Sequence, residues 1–468
     1  MELSNLDILI IFAYLLTIFF AGTLSGIRQN LEGFWVNRRK TPTILLVTTV
    51  VATQVGAGAV IGMASASYQS GIGFAVVASV STFTGFLAVA YLSPYIKRFG
   101  DKFHAITLSE FFLARFGRST QVISAIIILI TYFSFLAAQF VAGAALLSIW
   151  GGWSFKVALI TAAAAAITYN AFAGLRGDIV TDAIHFFSMV IIFFTILLPL
   201  TWIKVPLSRW VALTPVSFWS PFTFGGPVFL IGGLLFGSVL AVVSMEMWLR
   251  IYAASDQKQA RNTFVWSAFL TIPFYLTAMY FGFVARVTSP GLSNPDSALF
   301  MLMIKLFPQG VLGLGLAAVF GVIISSGNTM NVVAAATIFK DLLRRSTIRN
   351  EKRGLLESRL ITFGIGIAGL SFALSFPSIV QLVLNAFYMI AILFPALCGA
   401  VLWERATKTA ANLSIACGGI ITLVLIPIIP KQAFVPGAIT AILLLVLVSY
   451  LTQHSNTENI SFFKSLRN

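Results

Sequence analysis

Residues 310–340 read GVLGLGLAAVFGVIISSGNTMNVVAAATIFK, a run of about thirty residues in which the only charged side chain is the final lysine. An α-helix crosses the hydrocarbon core of a bilayer with roughly 20 apolar residues, so this run is long enough to span a membrane. Comparable runs follow one another along the whole chain. Continuous runs are typical of helices, whereas the strands of a membrane β-barrel show an alternating pattern. We therefore predict an all-α integral membrane protein.

The composition supports the same class. Of the 468 residues, 58% are hydrophobic and only 10% are charged, whereas soluble domains are about 25% charged. A soluble domain could not hide so much apolar surface, so the lipid bilayer is the expected partner. The net charge of +15 would suggest nucleic acid in a soluble protein. Here the basic residues lie in short loops between apolar runs, so we expect no nucleic-acid partner.

The apolar runs predict about 13 transmembrane helices, called spans 1 to 13 below, and leave no room for a soluble domain. The first span lacks a basic leader and a clear cleavage site, so we expect it to be retained. Residues 294–307 are expected to form a short helix outside the bilayer. The predicted spans are residues 6–26, 43–67, 73–97, 120–149, 155–174, 179–203, 227–249, 263–286, 310–340, 358–376, 378–402, 411–429 and 434–452.

The basic residues predict the orientation in the membrane, because cytoplasmic loops carry an excess of lysine and arginine. Of the 30 such residues, 24 fall in loops on one side of the predicted spans. That side would be the cytoplasm, which puts the N-terminus outside and the C-terminus inside a cell (cytoplasmic) membrane. The six residues on the opposite side are Lys156, Lys204, Arg209, Arg286, Lys305 and Lys431.

Acidic residues at or within a span suggest function, because a charge in the bilayer is expensive. Apart from Asp7 at the start of span 1, the two candidates are Asp182 and Glu246. Two interpretations of Glu246 stay open. It could pair with Arg250 one turn later and reach the cytoplasm, or it could line an inner gate of a transport pathway.

Spans 2 and 9 contain groups that could hold a cation. Residues 50–59 read VVATQVGAGA, and glycines near mid-span could interrupt the helix and free backbone carbonyls for coordination. The alternative is close helix packing through small residues. In span 9, the hydroxyls of Ser325 and Ser326 could bind a hard cation, or could bond to carbonyls of the preceding turn.

The three histidines form no metal cluster in the sequence, although His185 follows Asp182 by one turn and could pair with it or simply pack. The two cysteines, Cys398 and Cys417, lie in apolar runs and give no disulfide framework or zinc spacing. No phosphate-binding loop or nucleophile triad is present. We therefore expect that the protein is not an enzyme.

Four stretches resemble the sodium:solute symporter family, which includes the sodium/glucose, sodium/proline and high-affinity choline transporters. Residues 107–117, TLSEFFLARFG, resemble the family's loop between spans 3 and 4. Residues 173–175 with Thr181 and Asp182 resemble its signature around spans 5 and 6. The other two are residues 52–58 in span 2, and residues 314–317, 325–326 and 338–341 in and after span 9.

The resemblance implies a leucine-transporter-type fold of two five-helix inverted repeats. The first would comprise residues 43–203 (spans 2–6) and the second residues 227–402 (spans 7–11). Residues 1–42 and 403–468 would hold peripheral helices. It also implies a sodium site between spans 2 and 9, formed by the carbonyls of Ala52, Val55 and Val322 and the hydroxyls of Ser325 and Ser326. Asp182 would support these ligands from behind.

The function that follows is sodium-coupled symport of a small polar organic solute by alternating access, with Na⁺ as the coupling ion. We expect the solute near Gln54, Ala59 and Ser244, beside interruptions in spans 2 and 7. Gln54 replaces the tryptophan of the choline-like branch, and the motifs leave the solute unspecified. Two alternatives remain: a proton-coupled transporter that uses Glu246 or the Asp182–His185 pair, and a transporter-like membrane sensor.

Overall fold

The computed structural model describes residues 3–27, 31–56, 58–343, 351–376 and 378–452, and these residues form helices and connecting loops without strands. The N-terminal half contains α1 (Asn5–Ile27), α2 (Leu31–Val36), α3 (Thr43–Gln54), α4 (Met63–Ser70), α5 (Gly73–Phe103), α6 (Leu108–Phe116), α7 (Arg118–Gly151), α8 (Phe155–Val190), α9 (Leu198–Lys204) and α10 (Leu207–Leu213). The C-terminal half contains α11 (Gly226–Val243), α12 (Met245–Ala253), α13 (Gln257–Thr288), α14 (Ala298–Leu306), α15 (Val311–Ala336), α16 (Glu351–Ser375), α17 (Ile379–Ala391), α18 (Leu393–Leu402), α19 (Lys408–Leu425) and α20 (Phe434–Leu451).

Eleven helices in the described residues are long and apolar enough to cross a membrane, and the bent pair α3–α4 would make a twelfth. The apolar segment Phe155–Asn170 corresponds to predicted span 5 but is shorter than the others. The all-helical membrane fold is therefore confirmed, while the count of 13 stays a prediction. The helix expected over residues 294–307 is also present, as α14 with a preceding 3₁₀ turn, Pro295–Ser297.

Three interruptions divide the long helices. Helix α3 ends at Gln54, and the chain continues through a π-turn, Gly58–Gly62, into α4 at an angle of 49°. Helix α11 ends at Val243, because Ser244 has extended backbone angles before α12 begins. Within α8, Gly174 has a φ of +57°, a conformation that glycine adopts without strain, and this residue separates predicted spans 5 and 6.

Three other long helices form the buried centre of the molecule, and the broken pair α3–α4 packs close to them. The most apolar windows of α7, α15 and the α17–α18 segment are 78%, 83% and 83% buried, whereas that of α1 is 22% buried. Helices α3 and α4 both pack on α13, and α15 packs on α7 and α8. Close approach at glycine makes this possible: a Cβ on Gly282 of α13 would lie 2.4 Å from the Ala64 carbonyl oxygen of α4.

Hydrogen bonds gather the loops at two ends of the bundle, and the basic residues divide between them as the sequence predicts. At one end, Lys97 and Arg39 lie near Asp101, Arg98 bonds to Gln257, and Arg115 bonds to the carbonyls of Glu404 and Ala406. At the other end, Arg286 bonds to the Tyr68 carbonyl, and Lys204 bonds to the Leu306 carbonyl. Which end faces the cytoplasm stays a prediction, as do the repeat boundaries.

Candidate functional site

The end of α3 supplies free backbone oxygens. The helix stops at Gln54, and the Val55 amide makes the last bond of the regular pattern, 2.8 Å from the Val51 oxygen. The carbonyls of a final helical turn have no amide of a following turn to accept from. The carbonyls of Ala52 and Val55 belong to this turn, so they can serve as ligands for a cation.

Helix α15 presents one of its two serines to this break. The Ser326 hydroxyl is buried and has no hydrogen-bond partner among the described residues, and a Cβ on Gly56 would lie 2.5 Å from it. Ser325 instead donates to the carboxylate of Asp182. Val322 is buried one turn earlier on α15. The structure thus brings Ser326 to the broken segment and Ser325 to Asp182, and an oxygen-only donor set of this kind suits a hard cation such as Na⁺.

Next to these serines the structure contains a buried ionic cluster that the sequence did not predict. The Arg250 Nη2 atom lies 3.0 Å from Asp178 and 3.6 Å from Asp182. The same nitrogen donates to the hydroxyls of Thr49, Thr53 and Thr329 at 3.2, 3.1 and 2.8 Å. All six side chains are buried. Arg250 therefore ties α12 to α3, α8 and α15 in one contact.

This cluster bears on two points of the sequence analysis. Asp178 falls between predicted spans 5 and 6, but it lies within α8, one turn before Asp182. Its position in the sequence could have indicated this, because Asp178 stands four residues after Gly174 and four before Asp182. Of the two interpretations of Glu246, the structure excludes the surface pair with Arg250, because Arg250 is buried and pairs with Asp178 and Asp182.

Glu246 and His185 also have partners that the sequence did not indicate. The hydroxyl of Tyr132, on α7, donates to the Glu246 carboxylate, and the side chain of Glu246 is only 3% exposed. The Nδ1 atom of His185 lies 2.9 Å from the hydroxyl of Tyr14, on α1. Of the two possibilities for His185, the structure thus shows a bond to Tyr14 and not one to Asp182.

A cavity lies between the two breaks, and its empty space of about 1210 Å³ includes open solvent. Gln54, Ala59 and Ser244, the three predicted solute contacts, all line it, together with Glu246. The Tyr275 hydroxyl lies 3.5 Å from the Gln54 side-chain oxygen. Nine of the cavity's 29 lining residues are aromatic: Phe74, Phe86, Phe135, Phe229, Phe236, Tyr275, Phe387, Tyr388 and Phe434.

Interrupted helices around a central cavity are the architecture of secondary transporters, in which half-helix ends and unwound backbone bind the solute and the coupling ion. The model of the sodium:solute symporter family matches residues 34–418. The chain therefore belongs to the sodium:solute symporter family, and it is a multi-pass membrane transporter rather than an enzyme.

Two curated relatives show how this match extends. The chain is 26% identical to the sodium/pantothenate symporter of Escherichia coli over 451 residues, which cover 89% of this chain and 90% of the relative. It is 24% identical to the sodium/glucose cotransporter of Vibrio parahaemolyticus, over 72% of this chain and 68% of the relative. The two relatives are named for solutes of different chemistry, so neither assigns a solute to this chain.

Among solved structures, the chain is similar to a Na⁺-coupled sialic acid symporter in its substrate-bound outward-open state. The TM-score is 0.79, with 97% of this chain and 99% of the other covered and 16% sequence identity. This likeness confirms the leucine-transporter-type fold.

Proposed function

We propose that the protein couples sodium entry to the uptake of a small polar organic solute by alternating access. The observation that carries the proposal is the unpartnered, buried Ser326 hydroxyl beside the end of α3. A buried hydroxyl without a partner is unfavourable, and a sodium ion would satisfy its lone pairs. The ligands would be the carbonyls of Ala52, Val55 and Val322 with the hydroxyls of Ser325 and Ser326.

The same break would connect the ion to the solute. Thr53, Gln54 and Gly56 line the cavity, and they belong to the segment that would hold sodium. A sodium ion joining this segment to α15 would therefore fix the backbone that the solute contacts. Asp182 would act behind the ligands, since it accepts from both Ser325 and Thr49.

Sodium entering the cell releases about 2.3 kcal/mol per charge for each 100 mV of membrane potential. This energy drives uptake only if sodium binds the outward-open, solute-binding state more tightly than the inward-open state. Glu246 would act at the inner gate, where its bond to Tyr132 links α12 to α7. Ser244, in the break just before α12, would contact the solute, so gate and solute site would move together.

The test is whether solute binding depends on sodium. Binding is measured as the rise in unfolding temperature of the purified protein when each solute of a panel is added, in sodium or in potassium. Ligands that bind only the native state raise its unfolding temperature, so the solute should stabilise more in sodium. Ser326→Ala should weaken sodium activation roughly tenfold, equivalent to about 1.4 kcal/mol of lost ligation. Ser325→Ala should behave similarly.

Ser358→Ala is the matched control, because the Ser358 hydroxyl is buried and, among the described residues, donates to the Gly354 carbonyl of the preceding turn, at 2.8 Å. Its sodium activation should equal that of the wild type. Binding and transport that are indifferent to sodium and potassium would reject the sodium proposal and favour proton coupling. Normal activation in both alanine variants would reject only the assigned ligands.

A further inference from the structure

The buried centre around the two breaks carries unbalanced charge. Three carboxylates, those of Asp178, Asp182 and Glu246, face one guanidinium, that of Arg250, and each of these side chains is at most 3% exposed. Arg250 is shared between Asp178 and Asp182, at 3.0 and 3.6 Å. A buried charge without a partner is strongly unfavourable. With all three carboxylates ionised, the formal excess of two negative charges calls for two positive charges, which protons, a metal ion or a cationic solute can supply.

The proposed sodium ion would supply one of them. Its ligand Ser325 bonds directly to Asp182, so the sodium charge would act on the Asp178–Asp182–Arg250 cluster and complete its neutralisation. Glu246 lies outside that cluster and bonds to Tyr132. It is the carboxylate that remains, and it lines the solute cavity.

The wall of the cavity offers no cation to an incoming anion. Among the described residues that line it, Glu246 is the only acidic one, and lysine, arginine and histidine are absent; Arg250 is not part of the lining. A carboxylate or phosphate solute would thus be buried beside Glu246 without a basic partner. A positively charged solute would meet the Glu246 carboxylate and the faces of the surrounding aromatic rings, which attract cations.

A second feature of the wall indicates a ligand at this place. The Tyr388 side chain is 4% exposed and lines the cavity, and its hydroxyl has no hydrogen-bond partner in the part of the chain that the structure describes. Its ring stacks on Phe434, with centroids 4.9 Å apart, which fixes its orientation. A buried hydroxyl of this kind can bond to a polar group of a bound solute.

We propose that the solute is an organic monocation, an amine or quaternary ammonium compound, whose charge lies near Glu246 and whose polar group reaches Tyr388. This assignment rests on the sodium-coupled function proposed above. Sodium and solute together would bring the formal charge of the centre to zero. A cationic solute would distinguish this chain from transporters of carboxylates, although both would share the overall fold.

Matched ligand pairs test the charge directly. Thermal unfolding of the wild-type protein in sodium would be compared within three pairs, each of a charged compound and an uncharged alcohol. The pairs are choline with its carbon isostere 3,3-dimethyl-1-butanol, phenethylamine with phenethyl alcohol, and pantothenate with pantothenol. We expect stabilisation by one or both cations, at least tenfold weaker binding of the matched alcohols, and no stabilisation by pantothenate. Stabilisation by pantothenate, equal binding of cation and alcohol, or no shift with any cation would overturn the proposal.

Glu246→Gln then locates the charge, with Glu357→Gln on α16 as the matched control, since Glu357 pairs with Arg353 at the surface. Glu246→Gln should lose the preference for cation over alcohol and keep its response to sodium alone, whereas the control should keep both. A cation preference that survives in a folded Glu246→Gln protein would overturn the role of Glu246. If the variant does not fold, the wild-type ligand pairs decide alone.

The failures of the two proposals are distinguishable. Sodium-dependent binding of a neutral or anionic solute would reject the cation and leave sodium coupling intact. Cation binding that ignores sodium would reject the coupling and leave the charge assignment intact. Tighter binding of the alcohols at low pH, lost in Glu246→Gln, would show that a proton supplies the second charge and would overturn the cationic solute.

Discussion

At the residue scale, Arg250 holds together three parts of the molecule that the sequence separates widely. Its Nη2 atom contacts side chains of α3, α8 and α15, and its own backbone belongs to α12. The cluster is close to the proposed sodium ligands, because Asp182 accepts from Ser325. A movement of α12 would therefore shift Asp182 and the proposed sodium ligand Ser325. This makes Arg250 a positioning residue for sodium.

Substituting Arg250 should separate the roles of its charge and its shape. Arg250→Gln would leave two buried carboxylates without a cation, which should cost about 3–5 kcal/mol and lower the unfolding temperature sharply. Arg250→Lys keeps the charge but not the planar fork, so it should fold and show weaker sodium activation. The measurements are the unfolding temperature and the sodium concentration for half-maximal binding. A lysine variant with wild-type sodium activation would show that Arg250 only stabilises the fold.

The sequence could predict part of this site and not the rest. Ser325, Ser326 and Asp182 were predicted because their motifs have a recognisable order along the chain. Asp178, Thr49 and Arg250 were missed as a group because their association depends on how α3, α8 and α12 pack, and no local pattern encodes that contact. The partner of Glu246 was missed for the same reason: spacing along a helix suggested Arg250 as one possible partner, whereas the packing of α7 supplies Tyr132.

At the element scale, the interrupted helices are the features that create both the ion site and the cavity. The break after α3 was predictable, because two glycines and a polar pair stand in an otherwise apolar span. The break at Ser244 was expected only from the family resemblance, since α11 and α12 read as one apolar segment. The loop motif at residues 107–117 has a simple local cause: Thr107 and Glu110 form a capping box that begins α6.

Gly56→Ala should test the break after α3. A Cβ at this position would lie 2.5 Å from the Ser326 hydroxyl, and the Thr53 carbonyl oxygen would be 3.4 Å away. The added methyl group should displace Ser326 and weaken sodium activation by roughly tenfold or more, or about 1.4 kcal/mol. The measurement is sodium-dependent thermal stabilisation, together with protein level in the membrane.

Gly364→Ala on α16 is the control for this substitution, because a Cβ there would meet no atom within 4 Å. Alanine also favours a helix over glycine, so the control should be as stable as the wild type or slightly more stable. If sodium stabilises the Gly56→Ala and Gly364→Ala proteins equally against thermal unfolding, Ser326 and the break do not form the ion site.

At the scale of the whole molecule, composition and the run lengths were sufficient to predict an all-helical membrane protein. The exact number of spans was harder, because Phe155–Asn170 is short and α8 continues through Gly174 with only a local kink. The grouping of the loops at two ends was predictable from the basic residues alone. The direction of insertion depends on the membrane and on the charge bias, and it can be tested.

Cysteine labelling of intact cells should give the direction. In a background where Cys398 and Cys417 are replaced by serine, a cysteine at exposed Asn294 should react with a membrane-impermeant maleimide from outside. The connection between predicted spans 9 and 10 carries the most basic residues, and a cysteine within residues 344–353 should be labelled only from inside. Residues 344–350 lie outside the described part of the chain, so exposed Lys258 provides the internal site. A cysteine there should react only after the membrane is permeabilised.

The two positions serve as controls for each other, because both are exposed and stand near opposite ends of α13, Lys258 in its first turn and Asn294 in the loop that follows it. The charge bias of 24 to six places Lys258 with the cytoplasmic loops, and the structure places it beside Gln257, which bonds to Arg98 at that same end. Reaction of Lys258→Cys in intact cells, with protection of Asn294→Cys, would invert the whole topology. The end of the protein assigned to the outside would then face the cytoplasm. Sodium-coupled uptake would have to be replaced by export.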